Sequence, residues 1–195
     1  MNNAVFFNVS CGECLIVNIA YDANDTALAW ANSVLDAHPQ AHAIIATHAY
    51  IDKQCRYDDW ATDFKNTVLD THANVFLTLS GHYYPTQGNR TRVGGRNELL
   101  FNQQDAYDKL GGASARILTF DTTKGTVNMQ TYNLYTNQYA VDSNNSFTLD
   151  TAFRNDSIDS ESFLAGLAVV GVVLVLAVVG VCVFFVRKRV KCGFV

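Results

Sequence analysis

The stretch Asn74–Tyr84, NVFLTLSGHYY, decides the fold in its first seven residues and holds the chemistry in its last four. Val75, Phe76, Leu77 and Leu79 form a short apolar run, the pattern of a strand buried on both faces. Gly81 ends the run and His82 follows at once. In parallel α/β sheets, ligand sites collect at the carboxyl ends of strands, which is where this histidine stands. Upstream, Ala41–His48, AHAIIATH, has the same form: a short apolar strand, then a histidine. Between the two lies DDWATDFKNTVLD, with Trp60, Phe64, Thr67 and Val68 spaced for one helix face. Strand, helix, strand at this spacing predicts a βαβ unit with parallel strands.

The same reading extends in both directions. CLIVNIA, starting at Cys14, is a strand, and VFFNV before it is another, joined by a polar turn. In YDANDTALAWANSVLDAHP, Asn24 or Asp25 caps a helix whose face is Leu28, Ala31 and Leu35, with Val34 beside them, and His38-Pro39 ends it. After residue 95 the character changes. ELLFNQ reads as a strand, ARILTFDTTKGTVNMQTYNLY as an antiparallel hairpin turning at Lys124-Gly125, and FTLD, ending at Asp150, as an edge strand. Residues 1–150 are therefore expected to form an α/β domain with a βαβ unit followed by an antiparallel hairpin.

Beyond a polar tether, 151–162, come 24 consecutive apolar or glycine residues, Phe163–Val186. As a helix this run reaches roughly 36 Å, enough to cross a hydrocarbon core of about 30 Å. RKRVK follows, in a basic tail of residues 187–195, whereas Asp156, Asp159 and Glu161 lie on the other flank. That asymmetry predicts a single-pass membrane protein with a cytoplasmic tail and an extracellular or lumenal domain. The tail would meet anionic lipid, and Cys192 is a candidate for palmitoylation. MNNAVFFNVSCGEC has neither a basic n-region nor a long apolar h-region, so the chain either inserts through its last segment or continues something longer.

The net charge of −4 hides a division. All 18 acidic residues but only ten of the 14 Lys and Arg precede the apolar run, leaving −8 on residues 1–162. Such a surface argues against a nucleic-acid partner. Cys11 and Cys14 form a C-x-x-C that is open to a disulfide, a redox pair, half of a zinc knuckle or plain thiols.

If the two histidine-ended strands are neighbours, His48 and His82 leave the same sheet edge and their imidazoles converge on one divalent metal. Gly81 would let the backbone approach and adopt a φ closed to other residues. The plainer alternative is that each imidazole bonds a loop carbonyl. His38, His42 and His72 sit at the opposite ends of their elements and read as structural. Asp22 and Asp52 read as loop carboxylates. Arg90, Arg92 and Arg96, in QGNRTRVGGR, read as a surface loop able to attract phosphate.

Taken together, ALAWANSVLDAHP, AIIATHAY, VFLTLSGHYY, ARILTFDTTKGTVNMQTYNLY and NNSFTLD resemble the C-terminal half of the calcineurin-like metallophosphoesterases, across roughly residues 14–150. The resemblance implies part of an α/β sandwich and a hydrolase using metal-activated hydroxide on phosphoesters. His48 matches the family's isolated histidine after a strand, and His82 the first histidine of its Gly-His-x-His motif. Tyr84 stands where the second histidine, a ligand to the other metal, belongs. The family's upstream Asp-x-His, Gly-Asp and Gly-Asn-His blocks have no counterpart. The expectation is thus a metal-dependent phosphoester hydrolase that is incomplete or inactive as this chain, holding at most one weakly bound Zn, Mn or Fe. An upstream segment or partner chain would complete it. The alternative is a non-catalytic, membrane-tethered binding module or a remnant of a longer phosphoesterase.

Overall fold

The computed structural model describes residues 2–9, 12–84, 88–103, 113–151, 170–178 and 181–189. The chain divides into two compact units. Unit 1 comprises Met1–Asn8 with Glu13–Gly112, and unit 2 comprises Val9–Gly12 with Ala113–Val195.

Unit 1 is built on a six-stranded sheet in the order β1-β2-β3-β4-β6-β5. Its strands are β1 (Asn3–Val9), β2 (Gly12–Ile19), β3 (His42–Thr47), β4 (Val75–Ser80), β5 (Asn89–Val93) and β6 (Arg96–Leu100). β2, β3, β4 and β6 run parallel, and β5 returns antiparallel to β6. The helix α1 (Asp25–Ala37) connects β2 to β3. α2 (Asp59–Phe64), continued by a π-helical turn over Lys65–Leu69, connects β3 to β4.

Local chemistry sets these boundaries. Asn24 caps α1, its side-chain oxygen accepting from the Ala27 amide at 3.1 Å, and Asp58 does the same for α2 through Ala61 at 2.7 Å. Such a cap is worth about 1 kcal/mol. α1 buries Leu28, Ala31 and Leu35, and α2 with its π turn buries Ala61, Phe64, Val68 and Leu69. These residues pack with Leu15, Val17, Ile19, Ala43 and Ile45 in one core. Both helices thus cover the same sheet face, as successive right-handed crossovers require. Ile16 and Ile44, on the other face, are buried as well. Burial on both faces explains why β2 and β3 read as unbroken apolar runs.

Unit 2 is an antiparallel sheet in the order β10-β8-β7-β11-β12, with β9 also paired to β8. β7 (Ser114–Asp121) and β8 (Thr126–Asn133) form the expected hairpin, followed by β9 (Gln138–Ala140) and β10 (Ser146–Asp150). At the hairpin turn the Asp121 carboxylate accepts from the Thr123 hydroxyl and from the Thr123 and Lys124 amides. Those bonds, led by the Thr123 hydroxyl, hold its carboxyl well below the usual range.

Two expectations fall here. Where the run at 163–186 is described, it is strand and not the expected membrane helix. Its described parts lie in β11 (Val170–Val178) and β12 (Val181–Arg189), which pair with each other, β11 pairing also with β7. Ten of its 24 residues are valine, and β-branching favours strands over helices. Among the described residues no helix is long and apolar enough to cross a membrane. The single-pass topology, lipid contact and cytoplasmic tail rested on that helix and lapse with it. Residues 152–162 and Cys192 lie outside the described residues. Nor is the architecture the partial metallophosphoesterase sandwich plus membrane helix: it is a mixed α/β fold with two open sheets.

Candidate functional site

Three neighbouring parallel strands end at one edge of the unit 1 sheet. Ile19 is in register with Thr47, and Ala46 with Leu79, so Tyr21, His48 and His82 all leave β2, β3 and β4 on the same side. His48 Nε2 lies 3.0 Å from His82 Nδ1. This is hydrogen-bond distance, so one ring supplies the N–H and the other accepts it. The Tyr21 ring is centred 5.8 Å from both imidazoles, stacked on His82 and edge-on to His48. Tyr83 meets His82 edge-on at 5.0 Å.

The backbone holds this pair in an unusual conformation. The Gly81 amide donates to the His48 carbonyl at 3.0 Å, and the Tyr83 amide to the Gly81 carbonyl at 2.8 Å. Asn102 donates from Nδ2 to the His82 carbonyl at 2.9 Å. His82 itself has φ of +65°, and Asp22, beside Tyr21, has φ of +53°. The left-handed residue is therefore the histidine, not Gly81 as the sequence suggested. For a residue with a Cβ this region costs roughly 1–2 kcal/mol, and such strain clusters at functional sites. His82→Gly is accordingly expected to be more stable than His82→Ala by about 0.5–1 kcal/mol, after allowing for the extra unfolded-state freedom of glycine. Both lose the imidazole contacts, and only glycine relieves the left-handed backbone. Urea unfolding followed by tryptophan fluorescence compares the two, and equal midpoints for both variants would refute stored strain at this position.

Partial burial lowers the His48 pKa below its ordinary 6.5, and the charge of a protonated His82 lowers it further. The sign follows from linkage. Just below pH 6.5 the unfolded chain takes up a proton that folded His48 refuses, so stability is lost as pH falls from 6.5 to the folded-state pKa. Above that window the contribution is intact. Urea midpoints at pH 8 and pH 5.5 should therefore show wild type losing ground to His48→Gln on acidification. Relative gain by wild type would reverse the assignment.

Of the residues singled out from sequence, His48 and His82 meet. Tyr84 is exposed and borders residues outside the described set, and His82, two residues before it, has left-handed and not extended backbone. Asp52 is committed to its own turn, accepting from the Gln54 and Arg56 amides and the Arg56 guanidinium. Arg90 and Arg92 lie exposed on β5, whereas Arg96 is buried in an ion pair with Glu98. His38 pairs with Glu13 at 2.7 Å. His72 faces Asp36 and the Val68 carbonyl, and His42 lies edge-on to Phe76. Cys55 is a free thiol, Cys14 is buried on β2, and Cys11 lies outside the described residues.

The expected metal centre is not present among the described residues, where no group of three or more His, Cys, Asp or Glu is gathered to hold an ion. Two imidazoles fall short of the three protein ligands of a catalytic zinc site, and no bridging carboxylate accompanies them. The Zn, Mn or Fe cofactor and the metal-dependent phosphoester hydrolase are thereby set aside, with the phosphoester substrate. Sequence reading missed Tyr21, Tyr83 and Asn102. Tyr21 was accessible in principle, since it follows the apolar run of β2 as His48 follows that of β3.

No family model matches the chain, and no solved structure matches it. A relative is the uncharacterized protein YvnB of Bacillus subtilis, 25% identical over 168 residues, which span 77% of this chain and 13% of that protein. The resemblance to calcineurin-like metallophosphoesterases thus has no family match behind it. What the chain resembles is a segment covering about an eighth of a much longer bacterial protein.

Proposed function

We propose that unit 1 is a recognition module for a small oxyanion, held by the His48–His82 pair. The observation behind this reading is the convergence of His48 Nε2 and His82 Nδ1, 3.0 Å apart at the carboxyl edge of a parallel sheet. The pair shares one N–H in the ligand-free chain; once both rings are protonated that bond is given up, and both N–H groups become donors that one ligand oxygen accepts. Tyr21 and Tyr83 fix the ring planes, which is the preorganisation a binding site needs. The bonded carboxylates nearby are already engaged: Asp58 caps α2 and accepts from Tyr83, and Asp52 holds Arg56.

Two charge-assisted hydrogen bonds of about 1.5–3 kcal/mol each correspond to a dissociation constant of roughly millimolar. Because His48 resists protonation, binding strengthens as the solution is made more acidic. Calorimetric titration of the full chain with inorganic phosphate at pH 5 should give one such site per chain, weaker at pH 8 and lost in His82→Ala. No heat of binding, or binding undiminished in His82→Ala, would refute the reading. So would a tight stoichiometric site for Zn, which would make the nitrogens metal ligands instead.

A further inference from the structure

Glu98 on β6 has no exposed surface, and both carboxylate oxygens accept hydrogen bonds. Its Oε1 accepts from Tyr50 Oη at 3.0 Å and from Arg96 Nε and Nη2 at 3.1 and 2.9 Å. Its Oε2 accepts from Tyr57 Oη at 2.7 Å. Arg96 in turn donates to the Leu69 carbonyl and to Asp70, groups that the π-helical turn presents. Burial of both tyrosines, together with the Glu98 charge, raises their pKa values, so the hydroxyls stay protonated and can only be donors to this carboxylate.

Packing alone does not call for such a network, because apolar residues of similar volume are often as stable in its place. Its connections explain it better. Tyr50 is two residues beyond His48, in the segment leaving β3. Tyr57 is adjacent to Asp58, whose Oδ2 accepts from the Tyr83 hydroxyl at 3.4 Å. The Tyr83 ring lies against His82. The loop between the two tyrosines is closed by the bridge of Ile51 to Tyr57 and by the Asp52 turn. One buried carboxylate therefore anchors the backbone that carries the first histidine and the segment that braces the second.

We propose that Glu98 is a positioning residue for the histidine pair, acting through the Tyr50 and Tyr57 hydroxyls; its role in ligand binding rests on the oxyanion reading above. The test uses the full chain with Tyr50→Phe/Tyr57→Phe, which removes only the two hydroxyls, and with Glu98→Gln, which keeps an acceptor for Tyr50 and Arg96. The ligand-free readout is the nuclear Overhauser effect between the His48 and His82 rings, with amide shifts of the sheet reporting the fold. The second readout is affinity for inorganic phosphate. In the double phenylalanine variant the inter-ring effect should vanish and phosphate binding weaken by about tenfold, as when supports of a site are removed. Glu98→Gln should retain both.

An inter-ring effect and an affinity unchanged in the double variant would overturn the proposal and leave the network a packing feature. Should the double variant fail to fold, Tyr57→Phe alone is read by the same criteria. If wild type binds no phosphate, the oxyanion reading fails, and the inter-ring comparison by itself decides whether Glu98 positions the pair.

Discussion

Arg96→Met is expected to lower the stability of unit 1 by about 3–5 kcal/mol, because it leaves Glu98 charged, buried and without its cation. Glu98 is fully buried and Arg96 nearly so, and the guanidinium supplies two of the bonds that the carboxylate accepts. The two tyrosine hydroxyls that remain are neutral donors and cannot replace a positive charge. Removing both charges together, in Arg96→Met/Glu98→Leu, should cost less than the single change, since no ion is then stranded. Trp30 and Trp60 are the two tryptophans of the chain, and both lie in unit 1, so urea unfolding followed by their fluorescence reports this unit. A loss under about 1 kcal/mol for Arg96→Met would mean that water reaches Glu98 and the network is not a buried one.

Phe64→Ala should be comparably damaging, at about 3–5 kcal/mol. Phe64 is fully buried where α2 passes into the π-helical turn. Its ring stacks on Trp60 at 5.1 Å and meets Tyr50 edge-on at 6.0 Å. Truncation removes the transfer energy of the ring and leaves a cavity between helix and sheet that neither neighbour can fill without losing its own hydrogen bond. Trp60 donates to the Ala23 carbonyl and Tyr50 to Glu98. Phe64→Leu keeps most of the volume and should lose clearly less, near 1–1.5 kcal/mol. Urea midpoints of the two variants check this. A loss below about 1.5 kcal/mol for alanine would show that the core collapses readily around position 64.

The parts of the fold that could be read from sequence were those whose burial is apolar. β3, β4 and α1 announce themselves because Ile44, Ile45, Leu77, Leu28 and Leu35 can be there for no other reason. The β5–β6 hairpin was hidden by the opposite circumstance. Arg96 and Asn97 at the head of β6 are buried polar residues, so the strand was read only from Glu98 on, as ELLFNQ, and Arg90, Arg92 and Arg96 before it looked like a surface loop. The one available signal was Gly94-Gly95, both at positive φ, the dipeptide of a tight hairpin turn. The apolar run after residue 162 erred in the other direction, since an unbroken hydrophobic stretch has no period to separate helix from strand. At the site, the meeting of His48 and His82 was legible because parallel pairing fixes which ends share an edge. The left-handed backbone at His82 and the bracing by Tyr21 and Tyr83 were not, because they arise from contacts between segments far apart in the chain.

The central claim is that His48 and His82 form one hydrogen-bonded unit at the sheet edge. It is tested most directly by nitrogen-15 spectroscopy of the histidine rings in the ligand-free chain, looking for scalar coupling across the hydrogen bond. A cross-peak joining His48 Nε2 to His82 Nδ1, absent in His82→Ala, is the expected result. Two rings with no such coupling, each titrating as if the other were not there, would contradict it.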